Sequence, residues 1–346
     1  MYQETVSLDI TIDRILNRLK INEDINDYQF EYINMIVNHT FSLNNIATRE
    51  YINGRIHKIK QYQEKLNNIK DIPVIVQRSL EWYETRQSIV TASDFAQALN
   101  LGKFGNQKQF FVKKAGYEQD TFNNNLPPLK WGVMFEPVAN EIYMKRYDVN
   151  IHEFGLLKHP NNKFFGASPD GITSNGIMVE IKCPFKRKIT GEIPLQYYYQ
   201  IQGQLDVCDL DECDYFECEF ELYLNDVDFY NDNSNVEKGA IIEYESKDGT
   251  THAYSKMYNG YPCKYSLDKW INENNKIGAI IKFYKLRKLN TQRVYRDKNF
   301  IEEKLDELEV VWTKVLAYRN SKDLYDSEIA PKKTKKSLLD SYAFLD

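Results

Sequence analysis

At 346 residues and a formal net charge of −5, the chain is long enough to bury a full core and is not coated in positive charge, so any contact with nucleic acid has to come from local basic clusters. No apolar run is long enough to span a bilayer and no apolar leader follows Met1, which reads as a soluble, intracellular protein with no membrane partner. The five cysteines include Cys208, Cys213 and Cys218 at equal gaps that fit no common zinc or ferredoxin pattern, and the histidines form no His-x-x-x-His pair, so free thiols are expected and a zinc site is not.

Residues 1–75 read as an added helical piece. Ile52, Ile56, Ile59, Tyr62, Leu66 and Ile69 recur at steps of three and four, with Arg55, Lys58, Lys60 and Lys65 between them, which predicts an amphipathic helix with a basic outer side. Asp71-Ile-Pro73 ends it, because the residue before a proline is pushed out of the helical region. From residue 77 the pattern predicts helices at 79–87 and 92–99, a Gly/Asn/Pro-rich loop, a helix at 131–147, and strands at 153–158, 163–168 and 177–183. A helix at 194–208 follows, with Tyr197, Ile201, Leu205 and Cys208 on one face, and then Tyr215 to Leu224 alternates acidic and apolar residues in the period of a half-exposed strand. Ala240–Glu245 and Thr250–Tyr254 around Lys-Asp-Gly add a hairpin, and Ile301, Leu305, Leu308, Trp312 and Val315 form the stripe of a last helix, 298–319. Residues 76–320 are expected to form one domain carrying the hairpin near 239–256 as an insertion, with 321–346 as a tail that packs on its own domain, the alternative being that its basic and aromatic ends dock elsewhere.

The chemistry concentrates between residues 164 and 183. Phe164-Phe-Gly-Ala-Ser-Pro169 delivers Asp170 at a Pro-Asp-Gly turn, and Asn175-Gly176 then reverses the chain into Ile177-Met-Val-Glu180-Ile-Lys182-Cys183, a hairpin by its turn residues. Because a strand alternates its faces, Glu180 and Lys182 point one way while Val179 and Ile181 enter the core. Two carboxylates and an ammonium on one surface suit a hard divalent cation and a water steered against a phosphodiester. Basic runs that could meet DNA stand at Lys113-Lys114, Lys186-Arg187-Lys188, Lys282 to Lys288 with Arg293 and Arg296, and Lys332 to Lys336; the second adjoins the proposed site.

This stretch resembles the PD-(D/E)xK nucleases, and among them the phage lambda exonuclease/YqaJ viral recombinase branch. Trp82-x-x-x-Arg86, Ile89-Val-Thr-Ala-Ser93, Trp131-Gly132-x-x-x-Glu136 with Tyr143, the Asp170…Glu180-x-Lys182 core and Tyr197-x-x-Gln200-x-Gln202 are similar to that family's blocks in order, over about residues 77 to 224. The resemblance implies an α/β (α+β) restriction-endonuclease-like core, a mixed central sheet flanked by helices. It implies a metal-dependent DNA exonuclease, 5′-to-3′ on duplex DNA from 5′-phosphorylated ends. Asp170, Glu180, Glu136 and the main-chain carbonyl of Ile181 would hold two magnesium ions, replaceable by manganese, with Lys182 beside the attacking water. Arg86, Ser93, Ser168 and Gln200 would grip the 5′ phosphate. Ser93 fits equally as the N-cap of a helix beginning at Asp94. A single-strand annealing protein or replication factor as partner, and a trimeric assembly, are further implications of the family. Two other readings remain open: an endonuclease on the same fold, which has no need of an Arg86 pocket, and a non-catalytic DNA-binding scaffold.

Overall fold

The computed structural model describes residues 7–41, 47–101, 105–117, 126–246 and 249–329. Three helices lead, α1 (Leu8–Leu19), α2 (Asp27–Phe41) and α3 (Arg49–Lys70), with Ser7 and Thr48 accepting main-chain N–H groups as N-caps of the first and third. Next come α4 (Leu80–Ser88), capped by Ser79, β1 (Val90–Thr91), a 3₁₀ turn at Ala92–Asp94, α5 (Phe95–Ala98), α6 (Gln107–Ala115) and α7 (Pro127–Tyr147). The short strands β2 (Ile151–His152), β3 (Leu157–Lys158), β4 (Phe165–Ala167) and β5 (Gly171–Thr173) lead into β6 (Met178–Lys182), then α8 (Leu195–Val207) and β7 (Glu212–Leu222). The chain continues through α9 (Asp226–Asn231), β8 (Glu237–Ser246), β9 (Gly249–Tyr254), β10 (Tyr258–Asn259) and α10 (Lys264–Asn274) to β11 (Ile280–Tyr295), α11 (Lys298–Asn320) and α12 (Lys322–Glu328).

The larger sheet runs β10-β8-β11-β7-β6-β5-β2 with β9 paired to β8; β6 and β7 are parallel and the other pairs antiparallel, the mixed sheet that was expected. Alternation along β6 sorts its side chains as anticipated. Val179 and Ile181 pack with Phe135, Ile142 and Phe216 under α7, while Met178 joins Ile201, Leu205 and Tyr215 on the side of α8 and α11. The sheet is therefore covered on both faces. Beyond the sheet, Ile12, Ile15, Ile33, Val37, Ile52 and Ile56 form a separate small core among the first three helices.

Four expectations change. The strand at 163–168 is not the partner of 177–183: β4 pairs with β1 and β3 in a second, three-stranded sheet, and the hairpin is β5–β6. Its turn sits against α3, since Gly176 has φ +75° and a Cβ there would lie 2.3 Å from the carbonyl oxygen of Tyr62. Of the strand expected at 153–158 only Leu157–Lys158 (β3) forms; β2 (Ile151–His152) precedes that stretch, and Leu156 makes an isolated bridge to Ile75. β7 is half-exposed only toward its end: Glu217, like Glu212 and Asp214 just before the predicted stretch, is at most 1% exposed, whereas Glu219 is half-buried and Glu221 exposed. Finally, β11 has no counterpart among the predicted elements, yet it pairs with both β7 and β8 and supplies the middle of the sheet.

The buried acids of β7 explain where two of the predicted basic residues go. Arg55 of α3 makes bonds of 2.6 and 2.7 Å to Asp13 of α1 and one of 2.7 Å to Glu212. Arg293 of β11 binds Asp214 at 2.6 Å and Asp13 at 3.0 Å, and also contacts Glu212. Arg296 is held by Asp206 and Asp209, so neither Arg293 nor Arg296 belongs to a DNA-facing run. Each charge stays in the interior because it has a partner. Lys282 is paired with Glu243 at 2.7 Å and Lys288 donates to the carbonyl of Ile189 at 2.7 Å, which absorbs most of that cluster. Residues 332–336 lie outside the described residues, as does the rest of the tail from 330; α12 packs Tyr325 into the core beside Tyr318 and Val315.

Candidate active site

β6 emerges between α7 and α8, and its end carries the acids. Glu180 has no exposed surface, and both carboxylate oxygens are occupied: Lys182 and Gln200 donate to Oε1, the latter at 2.7 Å, and Gln204 donates to Oε2 at 2.8 Å. The turn after β4 places Asp170 alongside, where its Oδ2 accepts the main-chain N–H of Ile181 at 2.8 Å. Glu136, from the third turn of α7, completes the group.

The electrostatics are those of an acid cluster short of positive charge. Burial and the neighbouring Glu180 push Asp170 well above the usual carboxylate range, with Lys182 pulling the other way. Burial likewise raises Glu136, against the pull of Arg78 and Lys182. For Lys182 burial acts downward, but Glu180 and Asp170 outweigh it and hold the ammonium above its ordinary value. Its Nζ also stands 4.9 Å from the centre of the Tyr197 ring. Among the described residues no three or more His, Cys, Asp or Glu side chains already surround one ion position, and the Glu180 oxygens are taken by Lys182, Gln200 and Gln204. The donor set nevertheless fits a hard divalent cation: it is all oxygen, and three carboxylates face one lysine.

A second group of side chains lies next to the first. Arg86 donates to Ser93 Oγ at 3.1 Å, and its guanidinium lies 4.4 Å from the centre of the Trp82 ring. Trp82 Nε1 donates to Ser168 Oγ at 3.2 Å. The carbonyl of Ser168 accepts from Gln204 at 3.4 Å, and Gln204 is bonded to Glu180. One line of contacts thus joins Arg86 to the acids.

Of the residues expected to grip a phosphate, Arg86 and Ser93 touch, and Ser168 is reached through Trp82, whereas Gln200 sits on Glu180. The alternative reading of Ser93 as a helix cap is overturned: Thr91 and Asp94 form the capping box, leaving the exposed Ser93 hydroxyl to Arg86 and Thr91. Gln204 was missed although it lies four residues from Gln200, on the same helical stripe. Gln202, which the motif reading grouped with Gln200, faces away to the carbonyl of Tyr295 and the N–H of Asp297.

Comparison with known families bears on this arrangement directly. Residues 81–211 match the YqaJ-like viral recombinase domain. The matched segment contains Arg86, Ser93, Glu136, Ser168, Asp170, Glu180, Lys182 and Gln200, and leaves Arg55, Glu212 and Arg293 outside it. A protein of Acanthamoeba polyphaga mimivirus is 28% identical over 366 residues, covering 90% of this chain and 66% of its own length. A protein of African swine fever virus (strain Badajoz 1971 Vero-adapted) is 30% identical over 168 residues, 39% of this chain and 47% of that one. The chain therefore spans just under two thirds of the first relative and about half of the second. Among solved structures, an alkaline exonuclease from Laribacter hongkongensis aligns with a TM-score of 0.46 and 19% identity, covering 73% of this chain and all of that one. The YqaJ-like segment runs from the start of α4 to the residue before β7, so the first helices, β7 itself and the β8–β11 region lie outside the matched part. No described helix is long and apolar enough to cross a membrane.

Proposed function

We propose that this protein is a metal-dependent DNA exonuclease that degrades duplex DNA 5′-to-3′ from 5′-phosphorylated ends, serving viral or phage-type recombination, replication or repair. The observation that carries this reading is the line Arg86–Trp82–Ser168–Gln204–Glu180, which sets a guanidinium and two hydroxyls beside a buried acid cluster. Arginine presents a planar fork that can hold a phosphate by two parallel bonds, and a terminal phosphate carries more charge than an internal diester. An end is thus favoured over the middle of a duplex.

Asp170, Glu180 and Glu136, with the main-chain carbonyl of Ile181, would hold magnesium, or manganese in its place. When bound, such an ion supplies an activated water and offsets charge on the phosphodiester. Lys182, bonded to Glu180 and set over the Tyr197 ring, would orient the water and offset charge on the phosphate. Gln200 and Gln204 fix both oxygens of Glu180, and Tyr197 backs the ammonium.

End-labelled duplexes with and without a 5′ phosphate, together with a covalently closed circle, test the proposal in magnesium and in EDTA. The phosphorylated linear duplex should be consumed fastest, the circle left whole, and EDTA should stop the reaction. Cutting of the circle at the rate of the linear duplex would replace this reading with an endonuclease on the same fold, and turnover in EDTA would remove the metal.

A further inference from the structure

Lys114 reads in the sequence as half of a basic surface pair, but it is 1% exposed. Its Nζ lies 2.5 Å from the main-chain carbonyl oxygen of Arg86, 2.8 Å from that of Ile89 and 2.9 Å from Asp94 Oδ2. An ammonium has three hydrogens, and each has an acceptor here. Arg86 is in the last turn of α4 and Ile89 follows it, so both carbonyls are of the kind a helix end leaves without an intrahelical partner.

Asp94, 3% exposed, carries the connection onward. Its Oδ2 accepts from Thr91 Oγ1 at 2.8 Å, Thr91 Oγ1 is 3.0 Å from Ser93 Oγ, and Ser93 Oγ accepts from Arg86 Nη2 at 3.1 Å. The contacts close a ring: Lys114 fixes the main chain of Arg86, Ser93 fixes its guanidinium, and both lead back to Asp94. Lys113 also meets Asp94, at 3.0 Å, but touches neither carbonyl. Arg319 of α11 braces the same corner, donating to the carbonyls of Gln87 at 2.6 Å and Lys114 at 2.9 Å.

Neither Lys114 nor Asp94 is open to a DNA phosphate, while Arg86 and Ser93 are. We propose that Lys114, through Asp94, is a positioning residue that sets the direction of the Arg86 guanidinium and the Ser93 hydroxyl, and thereby the preference for a phosphorylated 5′ end. This rests on Arg86 as the ligand of the end phosphate. Removing only one member would leave a buried charge alone, so the variant of choice removes both charges while keeping shape, Lys114→Met with Asp94→Asn.

Steady-state kinetics on 5′-phosphorylated and 5′-hydroxyl duplexes read the effect, with Lys113→Ala and Arg86→Ala in parallel. The double variant should raise KM for the phosphorylated duplex about tenfold, the loss of one well-placed charge-assisted hydrogen bond, with kcat within about twofold and the hydroxyl duplex unaffected. Lys113→Ala should behave as wild type. A folded double variant that keeps the wild-type end preference while Arg86→Ala abolishes it overturns the role of Lys114. If Arg86→Ala keeps the preference too, the end-phosphate reading itself is wrong. Should the double variant not fold, Lys114→Arg keeps the charge but forces a bulkier head between the two carbonyls; the same rise in KM is expected, and unchanged selectivity overturns the proposal.

Discussion

Glu180 shows how much of a site's character is set by the groups packed around a single carboxylate. It is fully buried, and its charge is stabilised by one ammonium and two side-chain amides. Gln204 is the sole described partner of Oε2, so Gln204→Leu leaves that oxygen facing an apolar group. A hydrogen bond to a charged group is worth about 1.5 to 3 kcal/mol, and its loss should lower the single-turnover rate by roughly ten- to a hundredfold. The ratio of rates on phosphorylated and hydroxyl ends should change far less than the rate, because the Arg86–Ser93 and Trp82–Ser168 hydroxyl contacts are kept and only the 3.4 Å bond to the Ser168 carbonyl is lost. A variant that loses end preference but not rate would contradict this division of labour. Asp170 and Lys182 separate in the same way. Asp170→Asn should weaken magnesium binding in calorimetry by deleting a ligand charge. Lys182→Ala should abolish cleavage yet leave DNA affinity nearly intact, and equal loss of metal binding in both variants would argue against separate roles.

The elements bear the same lesson about buried charge, because the N-terminal helices are fastened to the sheet by ion pairs rather than by apolar contact alone. Burial raises the carboxyl of Glu212, but the hydrogen bond from Arg55 and the charge of Arg293 outweigh it and hold the group below its usual range; Asp9, bonded to Tyr295 and Tyr51, is also lowered. A carboxyl depressed in the native state contributes stability that is complete above its unfolded value, about 4.3 for a glutamate, and lost as pH falls through the native one. The urea midpoint of the wild-type protein should therefore fall as pH drops from about 5 toward 3. Glu212→Gln, which leaves Arg55 and Arg293 undercompensated, should be less stable at neutral pH by on the order of 3 kcal/mol, the usual cost of breaking a buried pair. Its curve should converge on the wild type in acid, and parallel curves would show that Glu212 is not the titrating group. Much of this architecture was legible beforehand. The stripe of α3, the helix of Glu136, the alternation of β6 and the terminal helix were all visible as periodicity. β11 was not, because Lys282, Lys285, Arg287 and Lys288 interrupt its apolar residues and resemble a solvated run. The acids of β7 misled for the converse reason. Period two locates a strand, but it does not say whether the alternate face meets water or the arginines of distant elements, and Arg55 stands 157 residues from Glu212 in sequence.

For the whole molecule, the net charge of −5 and the pairing of its cations set how DNA can be held. Most basic residues that looked available are engaged: Lys113 and Lys114 by Asp94, Arg187 by Glu217, Lys282 by Glu243, and Arg293 and Arg296 by the acids around β7 and α8. The segment just beyond β6 is different. Lys186 is exposed and lies 5.4 Å from the centre of the Phe185 ring, and Lys188 is exposed two residues on. Phe185 in turn rests on Trp131, with ring centres 5.4 Å apart, so this strip is anchored to α7, the helix that carries Glu136. DNA affinity should accordingly depend on salt through few phosphate contacts. Each cation that neutralises a phosphate adds roughly 0.9 to the slope of log affinity against log salt. Lys186→Ala with Lys188→Ala should therefore weaken binding of a duplex and flatten that slope by about 2. At saturating DNA the cleavage rate should be that of the wild type, since neither lysine contacts an acid of the site. Fluorescence anisotropy over a salt series measures the slope, and a double variant with the wild-type slope would place the DNA track on another face of the protein.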